Sequence, residues 1–213
     1  MIKGFNFYFV AGGGYSGGRE IAEVAALAIK GGIDILQLRE KKMCRRELVD
    51  EGKQLSLLCR EKKVIFIVND DPYLAKDVSS DGVHLGQEDV KEYPIAKTRE
   101  ILGKDKIIGL STHSLEQVEK ANCLDVDYIG FGPIFPTLTK DYSIGTKDIP
   151  KALEISNKPV VFIGGINISN AEAILEMGAK NIAVIRAVAE AENIERRVGE
   201  FKAMMGKYRV YEN

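Results

Sequence analysis

Three side chains that favour phosphate oxygens follow one short apolar run of the sequence. Gln37, Arg39 and Lys41 alternate by two residues, so an extended segment would point all three to one side. Arginine binds two oxygens at once, and lysine adds a second positive charge. The spacing therefore predicts a site for a phosphorylated or diphosphorylated ligand, unless Arg39 and Lys41 pair with Glu40 or Glu47 instead.

Two carboxylates follow later apolar runs. Asp70 and Asp89 lie at the ends of neighbouring predicted strands, where they could share one hard cation. Mg2+ commonly takes one or two protein carboxylates and completes its shell with substrate phosphates and water. Because Arg39, Lys41 and Lys140 are expected nearby, a metal–diphosphate site is favoured over two unrelated surface carboxylates.

A second anion site is predicted near the end of the chain. Gly164 and Gly165 follow one apolar run, and Ile185 and Arg186 follow the next. In (β/α)8 barrels the loops after the last two strands often bind phosphate through backbone N–H groups and a short helix N-terminus. A glycine pair after a strand can also be a simple turn, and that alternative stays open.

The two histidines, His84 and His113, fall beside predicted strand ends. A general acid or base could act there, although a histidine in a loop is often structural. Ser111 has no His–Asp pair at a spacing that would activate it, and no nucleophile-elbow motif surrounds it. The sequence thus argues against covalent hydrolase chemistry.

Eight short apolar runs alternate with amphipathic stretches and must position these groups. Such runs are typical of strands buried on both faces of a parallel sheet. The predicted strands are Phe5–Val10, Ile33–Leu38, Val64–Val68, Gly82–Leu85, Ile107–Leu110, Tyr128–Phe131, Val160–Ile163 and Ile182–Ile185. The predicted fold class is α/β, a single (β/α)8 TIM barrel over residues 1–213, with an open doubly wound sheet as the alternative.

Helical spacing of apolar residues is predicted between these strands. The helices are predicted at Arg19–Lys30, Arg45–Lys62, Glu116–Ala121, Ser169–Met177 and Ile194–Met205. Ser169 is expected to cap the N-terminus of its helix, and Gly178 to adopt the left-handed conformation after the same helix.

Glycine is over-represented, at 21 of 213 residues. The segment Gly12–Gly17 fits the dinucleotide-binding pattern G-x-G-x-x-G, and Glu40 stands where a ribose-binding acid would be expected. A dinucleotide-binding sheet gathers its ligands at one switch point, whereas polar residues here follow nearly every strand. We therefore interpret the segment as a flexible loop over the barrel mouth, and many other glycines as loop and phosphate-binding residues at strand ends.

The composition excludes several classes of protein. Thirty Lys and Arg residues against 31 Asp and Glu residues give a net charge of −1, without the basic excess of nucleic-acid-binding proteins. No apolar run approaches the roughly 18 residues of a membrane span, and no signal-peptide pattern is present. Cys44, Cys59 and Cys123 are odd in number and form no CxxC motif, so reduced thiols of a cytoplasmic protein are expected.

Taken in order, five segments resemble the thiamine-phosphate synthase family of Mg2+-dependent (β/α)8 enzymes. The segments are Gln37–Lys41, Asn69–Asp70, Asp81–Asp89, Gly132–Lys140 and Ile163–Ile166. The resemblance extends from about Phe7 to Ala187. All five segments in this order are far more specific than any one of them.

This resemblance implies substrates, a cofactor and site residues. The family consists of transferases that join hydroxymethylpyrimidine diphosphate to hydroxyethylthiazole phosphate and release diphosphate. By resemblance, the pyrimidine diphosphate would be held by Gln37, Leu38, Arg39, Glu40, Lys41, Asn69, Ser111 and Lys140. The thiazole phosphate would be held by Thr137, Leu138, Thr139, Gly165, Ile185 and Arg186. Mg2+ would be held by Asp70 and Asp89, and the catalytic groups would be Arg39, Lys41, Ser111 and Lys140.

The implied reaction depends on electrostatic stabilisation. Departure of diphosphate leaves positive charge on the pyrimidine methylene, and cations stabilise the negative charge that builds on the leaving group. The thiazole nitrogen then captures the carbocation, which requires positioning rather than a protein nucleophile. This requirement agrees with the missing catalytic triad.

The sequence departs from the family pattern in four places. Ala11-Gly12 stands where the family usually has Thr-Asp, and Leu138 occupies a position that is often polar. Arg186 stands where a small hydroxyl residue is commoner, and the segment 141–146 is shorter than many family loops.

Two other functions are weighed against the synthase. A thiazole tautomerase of the same superfamily needs no metal and could use His113 for proton transfer; a non-catalytic thiamine-phosphate binding protein is the other alternative. Asp70, Asp89 and the segment Gln37–Lys41 favour the synthase, because neither alternative ionises a diphosphate. The expected partners are small-molecule substrates, without nucleic acid or membrane, and a homo-oligomer is left open.

Overall fold

The apolar runs form a closed parallel barrel. The computed structural model describes residues 6–138 and 140–209. In this part of the chain each strand pairs in parallel with the next, and the last pairs with the first. The strands are β1 Asn6–Ala11, β2 Ile35–Leu38, β3 Ile65–Asn69, β4 Gly82–Leu85, β5 Ile107–Thr112, β6 Tyr128–Phe131, β7 Val160–Ile163 and β8 Asn181–Val184. The predicted (β/α)8 barrel is confirmed, and the open doubly wound sheet is excluded.

Helices follow the strands and cover the outside of the barrel. They are α1 Ile21–Gly31, α2 Arg45–Lys62, α3 Pro72–Asp77, α4 Asp89–Glu92, α5 Ile95–Leu102, α6 Leu115–Asn122, α7 Ile149–Ile155, α8 Ala171–Glu176, α9 Arg186–Ala189 and α10 Ile194–Arg209. Among the described residues, no helix combines the length and the apolar character that a bilayer crossing requires.

Of the two predicted ends of α8, the C-terminal one is confirmed and the N-terminal one is wrong. The residue that precedes α8 is Asn170, not Ser169, whose hydroxyl instead donates to the Asn167 side chain at 2.6 Å. Asn167 therefore draws the serine into a local turn, so the predicted N-cap is wrong. Gly178 has φ +96°, as predicted for a left-handed residue after the helix.

Strand alternation divides the buried residues into two layers. Side chains that point outward pack against the helices, as Phe9 and Leu36 do. Side chains that point inward fill the barrel, and this smaller layer contains Tyr8, Val10, Ile35, Ile67, Ile107, Tyr128, Val161 and Ala183. The two tyrosines bring hydroxyl groups into an otherwise apolar interior, below the carboxyl ends of the strands.

Candidate active site

The two predicted metal-binding carboxylates meet at the carboxyl ends of β3 and β4. Asp70 has a left-handed backbone with φ +67°, and its N–H donates to the His84 carbonyl at 2.8 Å. Its carboxyl group is in hydrogen-bonding contact with that of Asp89, which also accepts from the Gly86 N–H at 2.7 Å. A non-glycine residue in this conformation is typical of functional sites. The expected proximity of the two carboxylates is thus observed.

The electrostatics of this pair suit a divalent cation. Burial, and then the neighbouring Asp89, raise the pKa of Asp70 to about 7, although Lys41 and Arg39 act in the opposite direction. Two carboxylates this close repel each other unless a proton or a cation lies between them. Within residues 6–138 and 140–209, no group of three or more His, Cys, Asp or Glu could hold a metal. Two carboxylates alone are compatible with Mg2+, an ion that completes its shell with ligand oxygens and water.

Asp71, beside Asp70, has a different role. Its Oδ1 accepts from the Leu74 N–H at 2.8 Å and so caps α3, while Oδ2 contacts Arg45. Its oxygens stabilise the scaffold and leave Asp70 to face the mouth.

The end of β2 and the loop that follows it direct their side chains to different places: the barrel interior, the surrounding helices and the neighbouring loop. Gln37 is buried and donates from Nε2 to the Tyr8 hydroxyl at 2.8 Å, whereas Leu38 packs outward against the helices. Glu40 accepts from three backbone N–H groups, namely those of Gly13, Lys41 and Lys42 at 2.6–2.7 Å. The Glu40 carboxylate therefore joins the first and second loops, and Lys41 extends into solvent.

The Gly-rich segment after β1 lies across the mouth. A 3-10 turn at Gly13–Tyr15 presents Tyr15 between two arginines: Arg39 donates to its hydroxyl, and the Arg186 guanidinium lies 5.3 Å from its ring centroid. Arg19 then donates to the Ala189 carbonyl beyond β8. Sequence reasoning missed Tyr15, although an aromatic residue inside a glycine-rich segment was a visible sign of a packed contact.

Arg186 begins α9 beyond β8. It pairs with Glu190 one turn later, and its Nε is buried with no hydrogen-bond partner among the described residues. Ile185 packs against the interior layer of the barrel. At the predicted second anion site, the positive charge is the Arg186 guanidinium, which Glu190 and the Tyr15 ring hold in place.

The loop after β6 is folded onto the end of β7. The N–H groups of Ile134 and Phe135 donate to the carbonyls of Ile163 and Gly164, both at 2.9 Å. Gly164 and Gly165 have φ +100° and +63°, and a Cβ at Gly164 would lie 2.3 Å from the Pro133 side chain. Glycine is therefore required here for conformation and for close approach.

The tip of this loop holds the remaining predicted residues. Thr137 and Lys140 form an antiparallel bridge, and Leu138 is 84% exposed. Lys140 is also exposed, while Thr139 lies outside the described residues. Asn69 ends β3 and is half-buried at the mouth.

A chain of hydrogen bonds runs beneath these groups. Ser111 Oγ lies 2.9 Å from His84 Nε2, and His84 Nδ1 lies 2.9 Å from the Tyr128 hydroxyl. The Tyr128 hydroxyl lies 2.9 Å from that of Tyr8, which Gln37 contacts in turn. Sequence reasoning missed both tyrosines, because a tyrosine in an apolar run does not reveal which face of the strand carries it.

Burial perturbs the titratable groups of this chain. It raises the pKa of both Tyr8 and Tyr128 well above the ordinary value. It also lowers the pKa of His84 to about 4, although the charge of Asp89 opposes the shift. Both phenols therefore keep their proton at neutral pH, and the imidazole is uncharged.

The comparisons with known proteins agree with this geometry. Residues 7–188 match the model of the thiamine monophosphate synthase family. The chain belongs to this family. The predicted family membership is confirmed.

Individual family members resemble the chain over nearly its whole length. It is 41% identical over 193 residues to the thiamine-phosphate synthase of Persephonella marina, which covers 90% of this chain and 91% of that protein. It is 35% identical over 207 residues to that of Halalkalibacterium halodurans, covering 96% and 97%. The thiamine phosphate pyrophosphorylase structure from Pyrococcus furiosus superposes with a TM-score of 0.87 at 35% identity, over 96% of each chain.

His113 bears on the alternative within the same superfamily. Its Nδ1 lies 2.5 Å from the Gly132 carbonyl, and its ring packs edge-on against Tyr142 at 6.1 Å between centroids. One ring nitrogen is therefore engaged in tying β5 to the β6 loop. The thiamine monophosphate synthase relatives do not favour the tautomerase alternative.

Proposed function

We propose that the protein is a thiamine-phosphate synthase, a transferase that joins hydroxymethylpyrimidine diphosphate to hydroxyethylthiazole phosphate and releases diphosphate. The observation that carries this proposal is the Asp70–Asp89 pair, which experiences the charges of Lys41 and Arg39 at the mouth of the barrel. A shared carboxylate pair beside two cations suits the departure of a diphosphate. The names of the two curated relatives support the same activity.

The side of the mouth formed by β2–β5 holds the pyrimidine diphosphate. Arg39 and Lys41 of this side, together with Lys140 from the loop after β6, offset its negative charge, and Ser111 donates a hydrogen bond to it. Gln37 and Asn69 orient the pyrimidine through their amide groups. Leu38 and Glu40 contribute through their backbone, because the Leu38 side chain faces the helices and the Glu40 carboxylate binds N–H groups.

Asp70 and Asp89 would hold the Mg2+. When bound there, the ion supplies electrostatic stabilisation of the charge that develops on the departing diphosphate. Asp70 would have to lose its proton to act as a ligand, so protonation of this carboxyl group at low pH would oppose metal binding.

The side of the mouth formed by β6–β8 holds the thiazole phosphate. Arg186 provides the charge, and the backbone of Gly165 and Ile185 provides close approach at the usual phosphate site of such barrels. Thr137 and Leu138 of the segment after β6 are proposed to contact the same ligand, and Thr139 is assigned to it from the sequence alone.

The reaction then proceeds by ionisation and capture. The C–O bond to diphosphate breaks with its electron pair on the leaving oxygen, and the cations of the β2–β5 side stabilise that charge. The thiazole nitrogen donates its lone pair to the pyrimidine methylene, which the two sides of the mouth hold within reach. Tyr15 lies between the two sides and helps to exclude water from the carbocation.

The test is turnover by the purified protein with both substrates and Mg2+, followed by fluorescence of oxidised thiamine phosphate and by release of diphosphate. Both products are expected, and chelation or Asp70→Ala abolishes them. Glu88→Gln is the matched control, since Glu88 is exposed next to Asp89 and pairs only with the surface residue Lys91 in the described contacts.

Turnover that survives both chelation and Asp70→Ala would contradict the metal assignment. Thiazole isomerisation without diphosphate release, removed by His113→Ala, would show a tautomerase instead. The cytoplasmic location stays a prediction, and size-exclusion chromatography with light scattering would decide whether the chain forms a homo-oligomer.

A further inference from the structure

The hydrogen-bonded chain inside the barrel connects the floor of the site to the Ser111 hydroxyl. Its successive polar atoms lie 2.8, 2.9, 2.9 and 2.9 Å apart. It contains four different side-chain types and spans five strands, β2, β1, β6, β4 and β5. A continuous polar chain in the interior is costly unless each member is satisfied, so its arrangement calls for a functional reason.

Two glycines make room for the centre of this chain. A Cβ at Gly109 would lie 2.2 Å from Cζ of Tyr128 and 2.5 Å from Nδ1 of His84. A Cβ at Gly130 would lie 3.2 Å from Cε1 of His84. Both glycines lie within strands, at β5 and β6, where a side chain would otherwise fill the barrel. The interior is therefore shaped around the contact between the histidine and the tyrosine.

The protons of this chain can be counted. The Gln37 amide donates to Tyr8, and the one acceptor left for the Tyr8 proton among the contacts of the described residues is the Tyr128 oxygen. Tyr128 then gives its only proton to the next acceptor along the chain, the Nδ1 atom of His84. A neutral imidazole that accepts at Nδ1 carries its proton on Nε2. That proton points to Ser111 Oγ.

We propose that His84 is a positioning residue: Tyr128 holds it as the Nε2–H tautomer, and Ser111 therefore directs its own hydroxyl proton to an oxygen of the diphosphate. Ser111 accepts from the imidazole, so its single proton is left for the ligand. This inference rests on the proposed function for the identity of the anion. The direction of the hydrogen bonds does not depend on it.

The opposite direction would present the wrong group to an anion. If Gln37 accepted from Tyr8, each hydrogen bond would reverse, and Ser111 would donate to His84. The serine would then offer only lone pairs at the mouth and repel a phosphate oxygen. The orientation of the Gln37 amide selects the direction that suits an anion. The positive charges of Arg39 and Lys41 favour an anion at the same place.

The direct test is the tautomer of each histidine in the 15N-labelled full chain without ligand. Long-range 1H–15N spectra at alkaline pH separate protonated from unprotonated ring nitrogens. With two histidines in the sequence, a His113→Asn spectrum assigns both. His84 is expected as the Nε2–H tautomer. His113 is expected with its proton on Nδ1, because the Gly132 carbonyl can only accept, and it serves as the internal reference.

A second measurement tests the link to the ligand. Calorimetric titration with inorganic diphosphate and Mg2+ is expected to show about tenfold weaker binding for Ser111→Ala and for Tyr128→Phe, the usual order for loss of a hydrogen bond to a charged group. In Tyr128→Phe the His84 spectrum is expected to show both tautomers. Tyr8→Phe removes the hydroxyl through which Gln37 directs the Tyr128 proton, so both tautomers are expected in that variant as well.

A matched pair of variants separates positioning from packing. Glutamine can place an N–H near the position of Nε2, whereas asparagine reaches only the position of Nδ1. His84→Gln is therefore expected to keep about tenfold more of kcat than His84→Asn, with similar KM values, because the hydrogen bond strengthens as charge builds on the leaving group.

Three results would overturn the proposal: an Nδ1–H tautomer of His84 in the wild-type protein, diphosphate binding unaffected by Tyr128→Phe, or equal kcat for the two His84 variants. If the proposed function itself is wrong, turnover is absent for every variant. The tautomers and the diphosphate titration remain measurable in that case, so the two failures are distinguishable.

Discussion

The two sides of the barrel mouth are built differently. On the β2–β5 side, Gln37 and Ser111 are linked through buried hydrogen bonds, and the carboxyl groups of Asp70 and Asp89 lie in contact with each other. On the β6–β8 side, the loop rests on glycine backbone and its tip is exposed, with Leu138 at 84%. The first side is thus pre-organised by side chains that reach into the interior, and the second by backbone contacts between loops.

This difference matches the two halves of the proposed reaction. Ionisation of a diphosphate is slow without fixed charges and donors, because these groups must not reorganise as charge develops. Capture of the carbocation needs the thiazole close and water excluded, which a closing loop provides. Variants on the two sides should therefore fail in different ways.

The largest effect is expected on the β2–β5 side. Asp89→Asn is expected to lower kcat about 10²–10³-fold, since it removes a charge that holds the proposed Mg2+. The measurement is steady-state turnover across a Mg2+ titration. Glu92→Gln, an exposed carboxylate on the same short helix, is the control. Equal losses in the two variants would contradict the metal-holding role of Asp89.

A backbone substitution tests the β6–β8 side. At Gly164 φ is +100°, and the methyl group of Gly164→Ala would lie 2.3 Å from Cβ of Pro133. This substitution is therefore expected to lower the free energy of unfolding by about 2–4 kcal/mol. Gly145→Ala has φ +76° but open space around the new methyl group, and about 1 kcal/mol is expected. Denaturant unfolding measures both. A larger loss at Gly145 would refute the close-approach argument.

Without metal, the carboxyl group of Asp70 should make the folded protein less stable as the pH rises. The pKa of Asp70 is raised to about 7 in the folded chain, so between about pH 4 and pH 7 the folded state binds more protons than the unfolded state. The contribution of Asp70 to the free energy of unfolding therefore falls as the pH rises from 4 to 7. Asp70→Asn removes this fall and should raise Tm by a few degrees at pH 8 in the presence of chelator.

Differential scanning calorimetry of wild type and Asp70→Asn at pH 4 and pH 8 measures this effect. Added Mg2+ should stabilise the wild-type protein only. A Tm difference between the two proteins that is the same at both pH values would contradict the raised pKa.

The smallest effect is expected at the cation of the β6–β8 side. Arg186→Ser introduces the small hydroxyl residue that the family commonly has and removes the positive charge. The KM for the thiazole phosphate is therefore expected to increase about three- to tenfold, with kcat nearly unchanged. Glu190→Gln frees the guanidinium from its partner and should lower the same KM. Initial rates at saturating pyrimidine diphosphate measure both; a kcat loss in Arg186→Ser would place Arg186 in the chemical step.

Local patterns predicted the secondary structure well where burial is continuous. The predicted bounds of Gly82–Leu85, Tyr128–Phe131, Val160–Ile163 and the helix Arg45–Lys62 are those observed. Five helices, α3, α4, α5, α7 and α9, were not predicted; all have eight residues or fewer, and the four residues of α4 or α9 carry too little periodicity. The contact between Asp70 and Asp89 was expected, since neighbouring parallel strands end at the same edge.

Contacts across the barrel could not be predicted in the same way. Tyr8 and Tyr128 stand 120 residues apart in sequence, yet their hydroxyls lie 2.9 Å apart. Gly109 and Gly130 had no visible role until the pair that they accommodate was located. Tyr15 was predicted to lie in a flexible loop, but it lies between two arginines, Arg39 and Arg186, that follow the strands on either side of β1.

The sequence by itself determined the barrel, the family and the residue types that meet at its mouth, because strand periodicity and short motifs are local properties of the chain. Only the tertiary structure decided which inward-facing groups touch, since closure of the barrel joins β1 to β8 and brings distant strands face to face. The direction of the hydrogen bonds that end at Ser111 belongs to this second kind. It depends on the positions of five side chains at once, and no local pattern encodes them together.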